Sequence, residues 1–323
     1  MAILRLQLGY KAMKVLVTGA NGLLGQKLLN RLVKELGFQI MATGRGEHRL
    51  FGKHRSSYTY RSLDVTSRDA VRDFMAEYRP DCVIHTAAMT QVDDCEKDHS
   101  ACRLNNVDAV RFVAEACEPW GTHLIHLSTD FVFDGRTGPY LEEDEPNPLS
   151  IYGHSKADAE QIVLQYSGPW SIIRTVLVYG LAADMSRSNI VLWIKKSLEE
   201  GREIRIVSDQ FRTPTLAEDL AEGCCRVALR KATGIYNISG GEYMSVLEMA
   251  RRIARYFQLN EKLIEPTTSL ELGQAASRPL LSGFIIDKAR RDLDYVPHTL
   301  EEGISLILEQ FAAQSPNIER IAP

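Results

Sequence analysis

A short strand-like run that ends in three evenly spaced glycines constrains this chain more than any other feature. Lys14-Val15-Leu16-Val17-Thr18 leads into Gly19-Ala20-Asn21-Gly22-Leu23-Leu24-Gly25, a G-x-x-G-x-x-G spacing. Leu23, Leu24, Leu28, Leu29 and Leu32 then supply the apolar positions of a helix. Strand, glycine turn and helix in that order form the opening unit of a dinucleotide-binding fold. The first glycine permits a tight turn, the second lets backbone approach a pyrophosphate, and the third lets helix pack close on strand. The helix start offers N–H groups and a positive dipole end to phosphates. Glycines also serve ordinary turns, so the decision lies further along the chain.

Strand and helix patterns keep alternating. Strands are expected at 38–43, 57–63, 81–88 and 122–127, the last running into Ser128-Thr129-Asp130. Helices are expected at 68–78, with Ser67 at its start, and at 101–118. Such alternation implies a doubly wound parallel sheet of Rossmann type, with ligands at the carboxyl ends of the strands. Gly19–Gly25, Arg45, Asp64 with Val65, Ala87, Ala88 and Thr90, and Ser128–Asp130 all fall at such ends. No acidic residue closes the second strand, where an NAD site places one; Arg45 stands there and suits a 2′-phosphate. This favours NADPH, with NADH as the alternative, and a solvated loop arginine is the plain reading. Asp64 either accepts from the adenine amino group or caps the next helix.

The second half is less regular. A strand is expected at 171–179, a helix at 188–200, a strand at 203–207 and a polar loop at 209–215. Helices at 217–229, 246–257 and 300–311, a strand at 234–239 and a loop at 270–282 complete the pattern. The division expected is a cofactor domain at 13–180, with returning segments near 215–240 and 298–313. A smaller α/β substrate-binding subdomain takes 181–297, from segments near 181–214 and 241–297.

The 323 residues carry 38 basic and 42 acidic side chains, a net charge of −4, which offers no electrostatic case for nucleic acid or a membrane surface. No apolar run is long enough to span a bilayer. Residues 1–12 lack a signal-peptide core, and Met13 is read as the functional start. Cys82, Cys95, Cys102, Cys117, Cys224 and Cys225 form no C-x-x-C and no zinc spacing. Buried, reduced thiols in a cytoplasmic protein without a bound metal are the expectation.

Tyr152-Gly153-His154-Ser155-Lys156 is a Y-x-x-x-K at a helix start. The i, i+4 spacing puts both side chains on one face, and an ammonium beside a phenol lowers its pKa. The pair then serves acid–base catalysis. Thr129, at the end of the fifth strand, can hydrogen-bond the same substrate oxygen.

Six blocks in order carry a resemblance. They are His85-Thr86-Ala87-Ala88-Met89-Thr90-Gln91-Val92-Asp93, Ser128-Thr129-Asp130-Phe131-Val132-Phe133-Asp134-Gly135, Asn147-Pro148-Leu149-Ser150-Ile151-Tyr152-Gly153, Arg174-Thr175 with Val178-Tyr179, Asp209-Gln210 with Pro214-Thr215, and Arg278-Pro279. Over residues 13–311 the chain resembles the extended short-chain dehydrogenase/reductases (the NAD-dependent epimerase/dehydratase superfamily), and among them the dTDP-4-dehydrorhamnose reductases. The resemblance implies hydride transfer from NADPH to C4 of a 4-keto-6-deoxy sugar on a nucleotide, in dTDP-L-rhamnose formation. It implies Tyr152 as proton donor, Lys156 on the nicotinamide ribose, Thr129 on the reacting oxygen and Asp130 orienting the sugar. It places Val92, Asp93, Leu177, Gln210 and Arg278 at the substrate. The related 4,6-dehydratases carry Asp-Glu after the threonine, where this chain has Asp130-Phe131; a phenyl ring cannot abstract the C5 proton.

Departures exist. Leu177 stands where the bacterial reductases usually have tryptophan, Arg212 where glycine is common, and Ser277 where a second arginine is usual. Arg212 either contacts a diphosphate or closes its loop. Alternatives are another nucleotide-sugar epimerase or reductase, or an NADP-binding regulatory subunit like the β-subunit of methionine adenosyltransferase. The apolar face of the 101–118 helix serves either a homodimer or packing on the sheet.

Overall fold

The computed structural model describes residues 12–49, 55–183 and 190–314. Within them the first half runs β1 (Met13–Thr18), α1 (Leu23–Leu32), β2 (Phe38–Gly44), β3 (Thr59–Ser62), α2 (Arg68–Tyr78) and β4 (Cys82–His85). It continues through α3 (Val92–Lys97), α4 (His99–Arg103), α5 (Ala109–Cys117), β5 (His123–Thr129), α6 (Ile151–Leu164) and β6 (Trp170–Thr175). The second half holds β7 (Val178–Tyr179), α7 (Ile190–Glu199), β8 (Ile204–Val207), β9 (Phe211–Arg212), β10 (Thr215–Leu216), α8 (Ala217–Arg230) and β11 (Gly234–Asn237). β12 (Met244–Ser245), α9 (Val246–Tyr256), β13 (Ile264–Thr267), α10 (Ser269–Leu272), β14 (Leu281–Ser282), α11 (Asp287–Leu293) and α12 (Leu300–Gln314) close it.

Seven strands form one parallel sheet in the order β11-β6-β5-β4-β1-β2-β3. β4 is buried at every position, as both faces are covered. Val15, Val17, Ile84 and Ile125 face α1 and α8, while Leu16, Val83, Leu124 and Ile172 face α2, α5 and α6. This is the doubly wound architecture that the strand–helix alternation implied. A third apolar cluster gathers Val191 and Ile194 of α7, Ile253 of α9 and Ile304 of α12. It lies among short sheets: β7 with β10, β9 between β12 and β14, and β8 with β13.

Four sequence expectations change. The single helix at 101–118 is broken: α4 passes through a π turn at Leu104–Asp108 before α5 begins. Asn106, buried in that turn, accepts from the Met89 backbone N–H at 2.8 Å and donates to the Met89 carbonyl and to Ser155 Oγ, both at 3.0 Å. The apolar face of this stretch is satisfied within the chain, since Val107, Val110 and Val113 pack into the core. The strand expected at 171–179 splits, because Leu177 takes φ +36° and turns the backbone between β6 and β7. The 209–215 stretch is no solvated loop; it contains β9 and β10, and Gln210, Arg212, Thr213 and Thr215 are buried. The 270–282 stretch likewise carries the end of α10 and all of β14. Residues 1–11, and 188 and 189 of the helix expected at 188–200, lie outside the described residues.

All six cysteines are buried and unpaired. Among the described residues no helix is long and apolar enough to cross a membrane, and no His/Cys/Asp/Glu group has metal-binding geometry.

Candidate active site

The sheet order reverses on either side of β1 and β4, and the polar and glycine residues collect at the carboxyl ends around that point. Gly19 has φ +68°, and a Cβ on it would sit 2.6 Å from the Ala87 backbone nitrogen beyond β4. The neighbouring strand therefore demands this glycine as much as the turn does. A Cβ on Gly25 would lie 2.4 Å from the Gly19 carbonyl oxygen, so the third glycine seats α1 on the loop. Gly22 is exposed, and a Cβ there would meet only the Gly19 oxygen, at 3.3 Å. α1 starts with no side-chain cap and no acidic residue in its first turn, the condition an anion site needs.

Asn21 braces the loop after β2. Its Nδ2 donates to the Glu47 carbonyl at 2.9 Å and to Tyr60 Oη at 3.1 Å, and its Oδ1 accepts from the Arg49 N–H at 3.0 Å. Arg45 is exposed on that loop; hydrogen bonds from Thr66, with the Arg45 charge adding to them, hold the Asp64 carboxyl below its ordinary range against the cost of desolvation. Asp64 closes a turn onto Thr66 rather than capping α2. Ala87 and Ala88 are half-buried and Thr90 is exposed. Leu24 packs against one apolar cluster and Val65 is buried in another, while Leu23 lies near Gly180.

Tyr152 enters from the first turn of α6, whose start is capped by Ser150 accepting from the Gly153 N–H. Burial pushes its phenol above the usual range; a hydrogen bond with Thr129 opposes this and Asp130 reinforces it. Phe131 stands edge-on to the ring at 5.6 Å. The expected lowering by Lys156 does not occur. The Lys156 ammonium lies on the same helix but is turned to the sheet, 2.6 Å from the Leu127 carbonyl oxygen and 3.2 Å from His126 Nε2. Burial lowers its own pKa to about 8, with Glu160 and Cys102 acting the other way.

Asp130 is 2% exposed, and its oxygens are occupied. Thr129 Oγ1 donates to Oδ1 at 3.1 Å, Ser282 Oγ donates to Oδ2 at 2.5 Å, and Arg212 Nε lies 3.6 Å from Oδ2. Asp130 thus holds Thr129 and β14; it does not reach toward a sugar. Arg212 settles the alternative left by the sequence in favour of closing its loop. Its Nη1 donates to the Phe211 and Leu280 carbonyls and its Nη2 to the Pro279 carbonyl and Gln210 Oε1, at 2.7 to 3.1 Å. Gln210 is buried too, with its Nε2 donating to Ser269 Oγ and Gln274 Oε1. Asp93 of α3 and Arg278 meet as an ion pair at 2.8 Å, joined by the Ala276 N–H, and the arginine holds the Asp93 carboxyl below its ordinary range. Val92 packs against the Tyr152 cluster, while Leu177 lies between the sheet core and the third cluster.

The family model described as RmlD substrate binding domain matches residues 13–313 of this chain. The chain belongs to the RmlD substrate-binding family. It is 35% identical over 274 residues to a probable dTDP-4,6-dihydroxy-2-methyloxan-3-one 4-ketoreductase of Streptomyces antibioticus, covering 84% of this chain and 86% of that protein. It is 32% identical over 271 residues to methionine adenosyltransferase 2 subunit beta of Danio rerio, covering 82% and 80%. A dTDP-4-dehydrorhamnose reductase from Bacillus anthracis, solved in complex with NADP, superposes with a TM-score of 0.80 at 31% identity, covering 93% of this chain and all of that one.

Within this RmlD family member, sequence reasoning missed three supports of the site. Asn106 links the segment after β4 to Ser155, between Tyr152 and Lys156. Two successive asparagines inside an amphipathic helix were the available signal, since asparagine competes with helical bonding. His126 and His85 are buried on β5 and β4 under Lys156, and their alternation with apolar strand residues hid them. The Arg174–Glu160 pair is also buried, both nitrogen-to-oxygen bonds falling at 2.7 to 3.0 Å, and locks α6 to β6.

Proposed function

We propose that this chain is an NADPH-dependent oxidoreductase that reduces the C4 keto group of a nucleotide-linked 4-keto-6-deoxy sugar, as in dTDP-L-rhamnose formation. The observation that carries the reading is the gathering of Tyr152 and Lys156 of α6 at the carboxyl end of β5, where Phe131, two residues after Thr129, stands against the phenol ring and burial holds that phenol protonated. A reduction needs a proton delivered to the new alkoxide, and a raised pKa keeps that proton on Tyr152 at neutral pH. The reductase solved with NADP shares the fold at 31% identity.

The glycine cradle, the uncapped start of α1 and Arg45 on the loop after β2 fit a dinucleotide with a 2′-phosphate. NADPH would supply the hydride at C4. Gly19, Asn21, Gly22, Leu23, Leu24 and Gly25 would hold its pyrophosphate with backbone, Arg45 its 2′-phosphate, and Asp64 and Val65 its adenine end. Ala87, Ala88 and Thr90 would border the ribose, with Lys156 on the nicotinamide ribose. Tyr152 would protonate the C4 oxygen, and Thr129, whose hydroxyl proton rests on Asp130 in this structure, would turn it to the same oxygen once the sugar is bound. Phe131 leaves the site without a base for dehydration. Val92, Asp93, Leu177 and Arg278 border the sugar nucleotide, and Gln210 acts from beneath by supporting Arg212. The β8–β13 pair and the β12-β9-β14 sheet, from segments near 181–214 and 241–297, would form the substrate-binding subdomain. The buried thiols suit a reducing cytoplasm.

The test is loss of NADPH absorbance on adding dTDP-4-keto-6-deoxy sugar, with Tyr152→Phe alongside. Turnover by the wild type that falls roughly 10²–10⁴-fold in the variant supports the reading. NADPH binding without turnover overturns it and points to another sugar or to a regulatory subunit.

A further inference from the structure

His126 and His85 are register partners on adjacent strands, each 1% exposed, with rings stacked 5.9 Å apart and 20° from parallel. Lys156 Nζ lies 3.2 Å from His126 Nε2. An ammonium only donates, so Nε2 accepts and the ring hydrogen sits on Nδ1. Among the described residues that Nδ1 has no partner, nor has Nε2 of His85, whose Nδ1 lies 2.9 Å from Thr18 Oγ1. A buried polar atom without a partner costs stability, and an apolar residue would fill either strand position without that cost. What His126 gains in exchange is the contact with Lys156.

We propose that His126 is a positioning residue for the catalytic centre: its neutral imidazole and the Leu127 carbonyl together fix the Lys156 ammonium, and His85 stacks behind to hold the ring. The groups facing this pair are His85 from β4, Glu160 from α6 and Cys102 from α4. Burial and the Lys156 charge keep His126 well below the usual histidine range, so it stays an acceptor at neutral pH. The inference rests on the reading that Lys156 holds the ribose of NADPH.

NADPH fluorescence titrations from neutral to alkaline pH, on wild type and on His126→Phe, His126→Met and His126→Gln, test it without any sugar substrate. Wild-type affinity falls as the pH rises through the Lys156 pKa of about 8. Phe and Met remove the acceptor; each binds about tenfold more weakly at neutral pH, and the fall moves to lower pH because the ammonium is less favoured. Gln places an acceptor near the same point and restores both. Two acceptor-free variants guard against one failing to fold. Wild-type affinity and an unmoved pH profile in a folded Phe or Met variant overturn the inference, as does a Gln variant as weak as they are. A wild type that binds no NADPH overturns the cofactor reading, and the inference goes with it.

Discussion

β4, β5 and β6 are buried on both faces, and their ladders run on for four to six residue pairs through backbone alone. From β9 to β14 the strands are mostly two residues long, and the Arg212 guanidinium braces them. It collects the carbonyls of Phe211, Pro279 and Leu280 and approaches Asp130. In the first region apolar burial decides which strands meet. In the second the short backbone ladders are braced by one buried charged side chain, and the site depends on both because Asp130 touches Thr129 on one side and Arg212 on the other.

Arg212→Met tests that difference hardest. It leaves the Asp130 charge and three carbonyls without their partner, and we expect a loss of about 3–5 kcal/mol in urea unfolding. Hydrogen exchange should open first at 209–215 and 278–282 while β1, β4 and β5 stay protected; uniform opening would erase the distinction. Thr129→Val moves to the sheet side of the same junction. Removing one donor to the developing oxyanion should lower kcat by roughly 10²–10³-fold, with NADPH binding retained. Equal loss of binding would show that Thr129 holds the fold instead. Gly25→Ala probes the region held by close backbone approach. Its Cβ falls 2.4 Å from the Gly19 carbonyl oxygen, so α1 must shift; about 1–3 kcal/mol of stability and much of the NADPH affinity should go.

The effect that is smallest at neutral pH, and grows below it, is a pH dependence carried by the sheet. Burial lowers His85 to about 3, His123 to about 4, and His126 well below its ordinary value. The unfolded chain therefore binds more protons than the folded one below about pH 6.5. Stability is full above that value and falls as the pH drops, by up to about 1.4 kcal/mol per pH unit for each histidine. Urea midpoints taken from pH 7 downward should show it, and His85→Asn should flatten the slope. An unchanged slope would place the titration outside the sheet.

What could be read in the sequence follows the same division. β1, the glycine loop and α1 were visible because the glycine spacing sits between a strand-like run and an apolar helical pattern in one contiguous stretch, and Thr129, Tyr152 and Lys156 because they end or begin regular elements. The break at Asn106 was hidden because its cause is a pair of bonds to Met89, distant in sequence. The same holds for Gln210 and Arg212: polar letters suggested a wet loop, but their partners at 269, 274, 279 and 280 lie 59 to 68 residues away. The expected influence of Lys156 on Tyr152 failed for a third reason. Spacing on a helix sets the face, whereas His126 and Leu127 decide where the ammonium end points.

The edge strand β11 has a consequence for how the chain is made. It lies beside β6, and its predecessor α8 packs on α1, yet both emerge from the ribosome only after residue 216. A nascent chain that has delivered the glycine loop and Tyr152 still exposes the open edge of β6 and the back of α1, a surface prone to pairing with other chains. The half that carries the catalytic groups is therefore not a module that can be cut free at residue 180, and a translation stall before β11 would release an aggregation-prone fragment.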